Sequence, residues 1–333
     1  MNIFIRAYGS HLMGMGHLYR VEKLVKRLRE RSDDLEITLF TQKYEEAIEI
    51  YKKIDIDNLI EVSSTLTESE ELKYLEDIIK KNSYDFCIND QLNTDKSIAS
   101  LLISNVKKSI TFDDLGDGNY LFNHIINVLY PSKEQLDNEI NSYEYMILND
   151  FSKIKEKINF SKEIKKIFIN QGAADTWGAI PDMIEDLNKI ESNIIIKVLL
   201  GPSFQHFEEL SKALEKNKKQ IEIFNFTDNV VELVKDCDLA ILGAGNTLFE
   251  VASLGIPIIA STREEKELTT IQRLLNDSVV YAENKIYKSC LKNIVQTVIN
   301  DMERREIMYQ QNRKLFSYNG LNNIVDLLIG NKK

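Results

Sequence analysis

Cysteine and histidine are scarce in this chain of 333 residues, and neither is spaced as metal or disulfide sites require. Cys87, Cys237 and Cys290 are widely separated and include no Cys-x-x-Cys pair, which argues against a disulfide framework or a zinc site. We therefore interpret them as small core residues. The four histidines lack His-x-x-x-His spacing, so they indicate no metal site either.

Long apolar runs and blocks of one charge sign are also absent. No run approaches the roughly 18 apolar residues that a membrane span needs, and no charged leader precedes an apolar stretch at the start, so we expect a cytoplasmic protein. The net charge of −10 comes from 52 acidic and 42 basic residues that are spread along the chain. This distribution argues against a nucleic-acid surface and favours a small-molecule partner.

The composition, 43% hydrophobic and 28% charged, is that of a globular protein long enough for two domains. Strand and helix signals alternate from end to end, which predicts an α/β fold of two doubly wound parallel sheets covered by helices. The predicted strands are Asn2–Arg6, Glu36–Phe40, Phe86–Asn89, Ser109–Phe112, Ile125–Val128, a weaker one at Tyr145–Leu148, then Ile167–Asn170, Ile194–Leu199, Ile221–Phe224, Leu239–Leu242 and Pro257–Ala260.

The domain boundary is expected in the charged stretch Asp150–Lys166, which has no clear structural signal. Residues 1–155 then form an N-terminal Rossmann-like domain, and residues 156–333 form a C-terminal one. The tail Lys285–Gly330 is predicted as nearly continuous helix that crosses back to brace the first domain.

The turn Gly14–Arg20 follows the first predicted strand and opens a helix whose apolar positions recur at helical spacing. Gly14 and Gly16 permit positive φ and close ligand approach, and a helix start suits an anionic group such as a diphosphate. His17 in the first helical turn is well placed for proton transfer; the alternative is an ordinary surface histidine. A dinucleotide-binding loop fails on spacing, because Tyr19 stands where its third glycine belongs.

Two further turns lie in the second half. Gly243–Pro257 predicts a strand end, a glycine turn and a short helix capped by Asn246 or Thr247, with Gly245 in the turn. Glu250 lies one helical turn further on, where it can reach the hydroxyls of a ribose or simply be solvated.

The other turn, residues 170–176, follows the first strand of the second domain and leaves backbone amides uncovered at Gly172, Ala173 and Ala174. This is the edge of an open α/β sheet where ligands bind, and here it is expected to face an interdomain cleft. We expect Asp175 to cap the next helix.

Carboxylates also follow the strands of the first domain. Asp113 and Asp114, with Asp117 beyond them, resemble a metal-binding carboxylate pair, but no further oxygen ligands stand at suitable spacing, so solvated side chains are favoured. Asn89 and Asp90 end the neighbouring strand and point to the same expected cleft.

Three patterns together resemble a known family: Gly-Met-Gly-His-x-x-Arg at 14–20, Gly-Ala-Ala-Asp at 172–175, and Gly-x-Gly-Asn-Thr-x-x-Glu-x-x-x-x-Gly-x-Pro at 243–257. They resemble the pseudaminic acid pathway UDP-sugar hydrolases and their spore coat polysaccharide biosynthesis relatives, from Asn2 to about Leu275. Those proteins have the GT-B fold and are similar to the peptidoglycan N-acetylglucosaminyltransferase. The resemblance therefore implies two Rossmann-like domains facing across a cleft and a UDP-sugar substrate.

The resemblance also implies roles for individual residues. His17 would be the catalytic residue, acting as general base on a water or standing nearest the anomeric carbon. Substrate would be bound by the three turns, with no metal or other cofactor needed: Gly14, Gly16 and Arg20 from the first, Gly172, Ala173 and Ala174 from the second, and Gly245, Asn246, Thr247 and Glu250 from the third.

Two departures from the family pattern leave the sugar and the acceptor open. Where the hydrolases commonly carry an Asn-Gln pair, this sequence has Glu264-Glu265-Lys266-Glu267. Tyr8-Gly9-Ser10-His11 also replaces a serine-rich segment.

Three functions therefore stay open: a hydrolase that releases UDP and a free amino sugar, a GT-B glycosyltransferase that passes the sugar to an acceptor, and a nucleotide-sugar binder without turnover. The hydrolase is the preferred hypothesis, and the binder is disfavoured because a protein without turnover has no use for a proton acceptor such as His17. Acidic residues offset the basic ones on the first helix, so no strong membrane surface is expected.

Overall fold

The computed structural model describes residues 1–10, 15–132, 134–225, 227, 229–261, 265–282 and 291–330. Its helices in chain order are α1 (Gly16–Arg31), α2 (Ile48–Tyr51), α3 (Glu68–Lys81), α4 (Lys96–Ile103), α5 (Ser152–Lys155), α6 (Ala179–Asn188), α7 (Phe207–Glu215), α8 (Val230–Val234), α9 (Asn246–Ser253), α10 (Glu265–Asn276), α11 (Leu291–Asn300), α12 (Met302–Leu315) and α13 (Gly320–Ile329). Short 3-10 helices cover Glu45–Ala47, Asn119–Leu121 and Tyr143–Tyr145. The chain divides into two compact units, one of Met1–Ile147 with Asn319–Lys333 and the other of Leu148–Tyr318.

The first unit is built on a parallel sheet, which has seven strands within the described residues. They are β1 (Asn2–Ala7), β2 (Glu36–Lys43), β3 (Asn58–Ser63), β4 (Phe86–Asp90), β5 (Lys108–Phe112), β6 (His124–Ile126) and β7 (Glu139–Ile140). Their order is β3-β2-β1-β4-β5-β6-β7. β1 lies inside the sheet, between β2 and β4, and its apolar run is buried on both faces, with Ile3, Phe4 and Ile5 fully inaccessible.

Helix α1 covers this sheet through the predicted apolar stripe. Leu18, Val21, Leu24, Val25 and Leu28 are all buried, as their helical spacing predicts. Register places the carboxyl ends of β1 and β4 side by side, since Arg6 pairs with Asn89 and Ala7 with Asp90. Polar residues at the ends of these strands are thereby brought to one edge of the sheet.

The second unit has five parallel strands among its described residues, in the order β10-β9-β8-β11-β12. They are β8 (Lys166–Asn170), β9 (Ile195–Leu199), β10 (Ile221–Phe224), β11 (Leu239–Gly243) and β12 (Ile258–Ser261). β8 and β11 are neighbours, with Asn170 opposite Leu242, so the turns that follow these two strands start at the same edge.

Several elements differ from the predictions. Strands β3 and β7 were not predicted, because β3 lies at the sheet edge with a largely exposed pattern and β7 is only two residues long. The strand predicted at Tyr145–Leu148 is wrong, since a 3-10 helix ends at Tyr145 and irregular chain follows. The tail predicted as nearly continuous helix is helical over most of its described part, but it forms three helices, and Asp301 caps the second of them.

Candidate active site

His17 is the second residue of α1, directly after Gly16 at the helix start. Met15, the N-cap residue, makes no capping side-chain hydrogen bond among the described residues, and the first turn carries no acidic side chain. The amino end of α1 therefore keeps the positive character that suits an anionic ligand. Gly14, the other predicted glycine of this turn, lies outside the described residues.

The imidazole of His17 is held by a carboxylate. Its Nδ1 lies 2.6 Å from Oδ1 of Asp90, which ends β4 and is completely buried. The Nε2 atom has no hydrogen-bond partner in the part of the chain that the structure describes, and the side chain is 19% exposed. This geometry leaves one ring nitrogen for an outside reactant.

The charge state of Asp90 fixes the tautomer of this pair. Burial raises the pKa of the Asp90 carboxyl. The charges of Arg20 and His17 and their hydrogen bonds lower this pKa by more than burial raises it, so that it is lowered overall. An ionised carboxylate can only accept, so Nδ1 carries the proton that faces Asp90, and in the neutral form of the ring Nε2 presents its lone pair. The contact between His17 and Asp90 has the geometry of a base held by an orienting carboxylate.

Arg20, one turn further along α1, joins Asp90 to a second carboxylate. Its Nε and Nη2 each donate to Asp90 at 2.7 Å, and its Nη1 donates to Oδ2 of Asp113 at 2.5 Å. The guanidinium also lies over the ring of Phe112, 4.9 Å from the ring centroid. The three nitrogens that were expected to serve substrate are therefore all in contact with protein carboxylates.

Asp113 stands just beyond β5 in a left-handed backbone conformation, with φ of +46°. Its Oδ1 accepts from the backbone N–H of Leu129 at 3.0 Å, and its own N–H donates to Ile126. Only glycine, asparagine and aspartate adopt this conformation at low cost, so both backbone and side chain fix the position of the carboxylate that meets Arg20.

A buried polar network lies behind the pair. Asn89 accepts from Arg6 at 2.9 Å, and Arg6 forms an ion pair with Glu71, which also accepts from the hydroxyl of Tyr8. Asn89 donates to Thr94 and Thr111. Because Asn89 precedes Asp90 in β4, these contacts hold the strand end that presents the orienting carboxylate.

The sequence predicted solvated carboxylates at the strand ends, but Asp113 and Asp114 are buried and hydrogen-bonded, whereas Asp117 is exposed. Asp114 is fully buried and accepts from the backbone N–H groups of Thr94 and Gly116, both at 2.9 Å. Protein donors thus occupy the carboxylates of Asp113 and Asp114. No group of three potential metal-ligating side chains lies together in the described residues.

In the second unit, the turn after β8 leaves its small residues accessible. Gly172 has φ of +76° with open space around it, and Gly172 and Ala173 are exposed while Ala174 is half-buried. Asp175 binds the first two N–H groups of α6, at 2.8 and 2.9 Å, as the prediction of a capping role required. The turn is therefore anchored at its end while its amides stay near the surface.

The loop that follows β9 packs against this turn. Ser203 donates its N–H to the carbonyl of Ala173 at 2.9 Å. Gly201 is packed so tightly that a Cβ there would lie 2.2 Å from the Ala173 carbonyl oxygen and 2.3 Å from that of Gly172. Only glycine allows this close approach, and the contact fixes the position of the turn that carries Gly172 and Ala173.

Helix α9 begins at Asn246, and its N-cap is Gly245 in an extended conformation. The predicted cap by Asn246 or Thr247 is wrong, since the helix has no side-chain cap hydrogen bond within the described residues. Gly245 and Asn246 are exposed, and Thr247 and Glu250 are half-buried. With no side-chain cap hydrogen bond from the described residues, the start of α9 is suited to an anion.

Two polar residues of this edge were not found from the sequence. Gln171 follows β8 and accepts from the hydroxyl of Ser261, the last residue of β12, at 2.6 Å. A Cβ on Gly243 would lie 3.7 Å from Gln171, so the turns that carry Gly172 and Gly245 start next to each other. The second unit therefore brings its predicted residues to one sheet edge, around Gln171. The positions 262–264 and 283–290, which include Glu264 of the departure from the family pattern and Cys290, lie outside the described residues.

None of the described helices is long and apolar enough to cross a membrane. Cys87 and Cys237 are buried free thiols, as expected of core residues.

Residues 170–327 match the glycosyltransferase family 28 C-terminal domain. An uncharacterized protein of Methanocaldococcus jannaschii is 31% identical over 92% of this chain, and the chain spans 63% of that relative's length. The spore coat polysaccharide biosynthesis protein SpsG of Bacillus subtilis is 24% identical over 81% of this chain and 80% of its own.

Among solved structures, MurG of Acinetobacter baumannii matches with a TM-score of 0.74 at 13% identity, over 98% of both chains. This likeness confirms the predicted architecture of two Rossmann-like parallel sheets, and the SpsG match supports the resemblance to the spore coat relatives. The chain is thus a protein of GT-B glycosyltransferase-like fold that carries a family 28 C-terminal domain match.

Proposed function

We propose that this protein hydrolyses a UDP-linked amino sugar at the glycosidic C–O bond, releasing UDP and the free sugar. The observation that carries the proposal is the His17–Asp90 pair, with Nδ1 bound to the buried carboxylate at 2.6 Å and Nε2 left for a reactant. Such a pair is the arrangement of a general base, and a protein that only binds nucleotide sugars does not need one.

In the proposed reaction, the oxygen of a water attacks the anomeric carbon while Nε2 of His17 removes its proton. The bond between the anomeric carbon and the diphosphate oxygen breaks, and its electron pair leaves with UDP. Asp90 stabilises the imidazolium that forms, which then returns its proton to solvent. The base contributes about 10²–10⁴ in rate when it is well oriented.

The second unit supplies the residues that would hold UDP. Backbone amides at Ala173 and Ala174 and at the start of α9, at Asn246 and Thr247, are donors without charge, preorganised by the sheet edge from which they emerge. They are suited to diphosphate, and they stabilise the charge that develops on the leaving group by about 3 kcal/mol per well-placed donor. The N–H groups of Gly172 and Gly245 already donate within the protein, to Oδ1 of Asn170 at 3.2 Å and to the Gly243 carbonyl at 2.9 Å. Glu250 is proposed to bind the ribose hydroxyls.

A glycosyltransferase is the second candidate, favoured by the match of residues 170–327 to a glycosyltransferase domain and by the GT-B fold. The same base would then take the proton from an acceptor hydroxyl instead of water. A surface polysaccharide is the acceptor class that the name of the spore coat relative suggests, and a protein is the alternative acceptor. The chemistry at the donor sugar is common to both candidates.

Incubation with a panel of UDP-sugars in water enriched in oxygen-18, with and without acceptors, separates these functions. Hydrolysis at the anomeric carbon places the label in the free sugar and none in UDP. A product linked to an acceptor, with no labelled sugar, shows transfer instead. Binding of UDP-sugars with no product in any arm contradicts both enzymatic candidates.

The role of His17 is tested with His17→Asn, and His124→Asn in β6 serves as a matched control. We expect the first variant to keep UDP affinity and lose about 10²–10⁴ in turnover, and the control to keep both. Near wild-type turnover of His17→Asn with intact UDP binding would exclude His17 as the base.

A further inference from the structure

The guanidinium of Arg20 occupies an unusual place for a residue expected to bind substrate. It lies between two buried carboxylates, Asp90 fully buried and Asp113 with 5% of its side chain exposed, and the Arg20 side chain itself is 18% exposed. All three of its nitrogens donate to these carboxylates. The polar contacts of its three nitrogens are therefore all with protein carboxylates, and one of these, Asp90, is the group that contacts His17.

We propose that Arg20 is a positioning residue: its two-pronged contact with Asp90 and its third bond to Asp113 hold the carboxylate in the plane that orients His17. This inference rests on the proposed function, because it assigns a role within the same site. It replaces substrate binding, which the sequence resemblance implied for Arg20, and it gives Asp113 the role of anchor.

The two-pronged contact of the guanidinium with Asp90 explains why arginine is needed. Nε and Nη2 of Arg20 reach the two oxygens of Asp90, each at 2.7 Å, so the carboxylate cannot rotate without breaking one bond. Oδ1 of Asp90 then accepts from Arg20 and His17 together, and its position fixes the imidazole. A lysine carries the same charge on a single ammonium nitrogen, so it cannot hold both oxygens of Asp90 in one plane.

Asp113 completes the arrangement from another part of the sheet. Its side chain is tied to the N–H of Leu129 at 3.0 Å, and its left-handed backbone is fixed beside β6. Arg20 is therefore linked on one side to β4 and on the other to the segment after β5. Together they connect the start of α1, where His17 lies, with two strand ends.

The test compares Arg20→Gln and Arg20→Lys with wild type and with Arg27→Gln. Arg27 lies two turns further along the same helix, where its Nε bonds to Asn322 at 2.6 Å, and it has no part in the site. The first measurement is the nitrogen-15 NMR spectrum of the His17 ring in protein without nucleotide, assigned by the loss of its signals in His17→Asn. We expect a single Nδ1-protonated form in wild type and in Arg27→Gln.

In Arg20→Gln, we expect this single form to be replaced by a mixture of ring states, because Asp90 loses the partner that fixes it. Arg20→Lys should lie between wild type and Arg20→Gln. A His17 spectrum of Arg20→Gln identical to that of wild type would overturn the proposal.

The second measurement is UDP affinity by calorimetry. A positioning role leaves the dissociation constant of Arg20→Gln close to the wild-type value, whereas loss of a charged phosphate contact weakens binding by roughly tenfold or more. With an active substrate, the positioning role lowers kcat by about 10–10² and leaves KM unchanged, because only the proton transfer is impaired. Weaker UDP binding with an unchanged ring spectrum would return Arg20 to the substrate site.

Asp113→Asn provides a second route if the Arg20 variants do not fold. Asparagine adopts the left-handed conformation that residue 113 requires, so the backbone is kept while the charge facing Nη1 is removed. We expect the His17 ring spectrum to shift in the same sense as in Arg20→Gln, to a smaller extent, and no shift would count against the anchor.

The NMR and UDP measurements need no turnover. A chain that hydrolyses no UDP-sugar but shows these spectral changes would retain the positioning inference and lose the proposed function. Turnover with no spectral change would retain the proposed function and overturn the positioning inference.

Discussion

Replacing Asp90 by asparagine tests the catalytic pair most directly, because it removes one charge and leaves shape and volume almost unchanged. Asp90 accepts one hydrogen bond from His17 at 2.6 Å and two from Arg20 at 2.7 Å, and it is completely buried. Asparagine has one oxygen for these three donors. Its amide group must therefore point a donor at either Arg20 or His17.

If the amide points its donor at His17, Nδ1 has to accept, so the ring proton moves to Nε2 and the base is lost. We expect a fall in turnover of about 10²–10⁴, the contribution of general base catalysis. If the amide points at Arg20, two donors oppose each other, and a guanidinium that is 18% exposed keeps only Asp113 as its charged partner. Removal of one partner from a buried ion pair costs about 3 kcal/mol of stability.

Three measurements examine this prediction: release of UDP under saturating substrate, denaturant unfolding, and the nitrogen-15 spectrum of the His17 ring. Asp114→Asn is the matched control, since Asp114 is equally buried but bonds to neither His17 nor Arg20; it accepts from the backbone N–H groups of Thr94 and Gly116 and from the side chains of Asn89 and Thr111. It should lose stability without changing the tautomer of His17. A folded Asp90→Asn protein with wild-type turnover and an unchanged ring spectrum would refute the assignment.

Four further predictions concern the same two sheet edges. Glu250→Ala should weaken UDP binding by roughly 1–3 kcal/mol in calorimetry if this carboxylate binds ribose hydroxyls, and unchanged affinity would remove it from the site. Gly201→Ala should also weaken UDP binding, because a Cβ 2.2 Å from the Ala173 carbonyl must displace the turn; equal affinity would show that the turn does not bind UDP. UDP should change the emission of Trp177, the single tryptophan, which is 57% exposed and follows that turn, and an unaltered spectrum at saturation would place the nucleotide elsewhere. Because folding lowers the pKa of Asp90, the ionised carboxylate stabilises the protein above its unfolded pKa of about 3.9, and this stabilisation is lost as pH falls through the folded pKa. Acid should therefore destabilise wild type more than Asp90→Asn. Equal slopes of unfolding free energy against pH in the two proteins would contradict this prediction.

The spacing of apolar residues predicted most of the architecture, because it shows within a short stretch of sequence which face of a helix or strand is buried. The stripe from Leu18 to Leu28 and the apolar run of β1 determine one helix and one central strand by themselves. The edge strand β3 escaped because an exposed edge carries no continuous apolar signal. The two-residue strand β7 is too short for any pattern to show.

The site was only half visible in the sequence for a different reason. His17 stands out as a histidine in a glycine turn, but its partner Asp90 is 73 positions away, and only the register of the sheet brings the two together. Asp90 therefore resembled one of several strand-end carboxylates. The open start of α9 was misjudged because Asn246 is a good capping residue in general, whereas here Gly245 takes the cap position and frees the helix start.

The return of α13 to the first unit affects the order in which the chain can fold during synthesis. α13 bonds to α1 through Arg27 and Asn322 at 2.6 Å and through Arg31 and Asp326 at 2.8 Å, and to β5 through Lys108 and the Leu327 carbonyl at 2.8 Å. Domains generally fold as units, the N-terminal one first as the chain emerges. Here the second unit has all of its residues once Tyr318 is made, whereas the first unit waits for residues 319–330 before the helix that carries His17 gains its last neighbour. A ribosome-bound nascent chain would thus complete its second unit before its first.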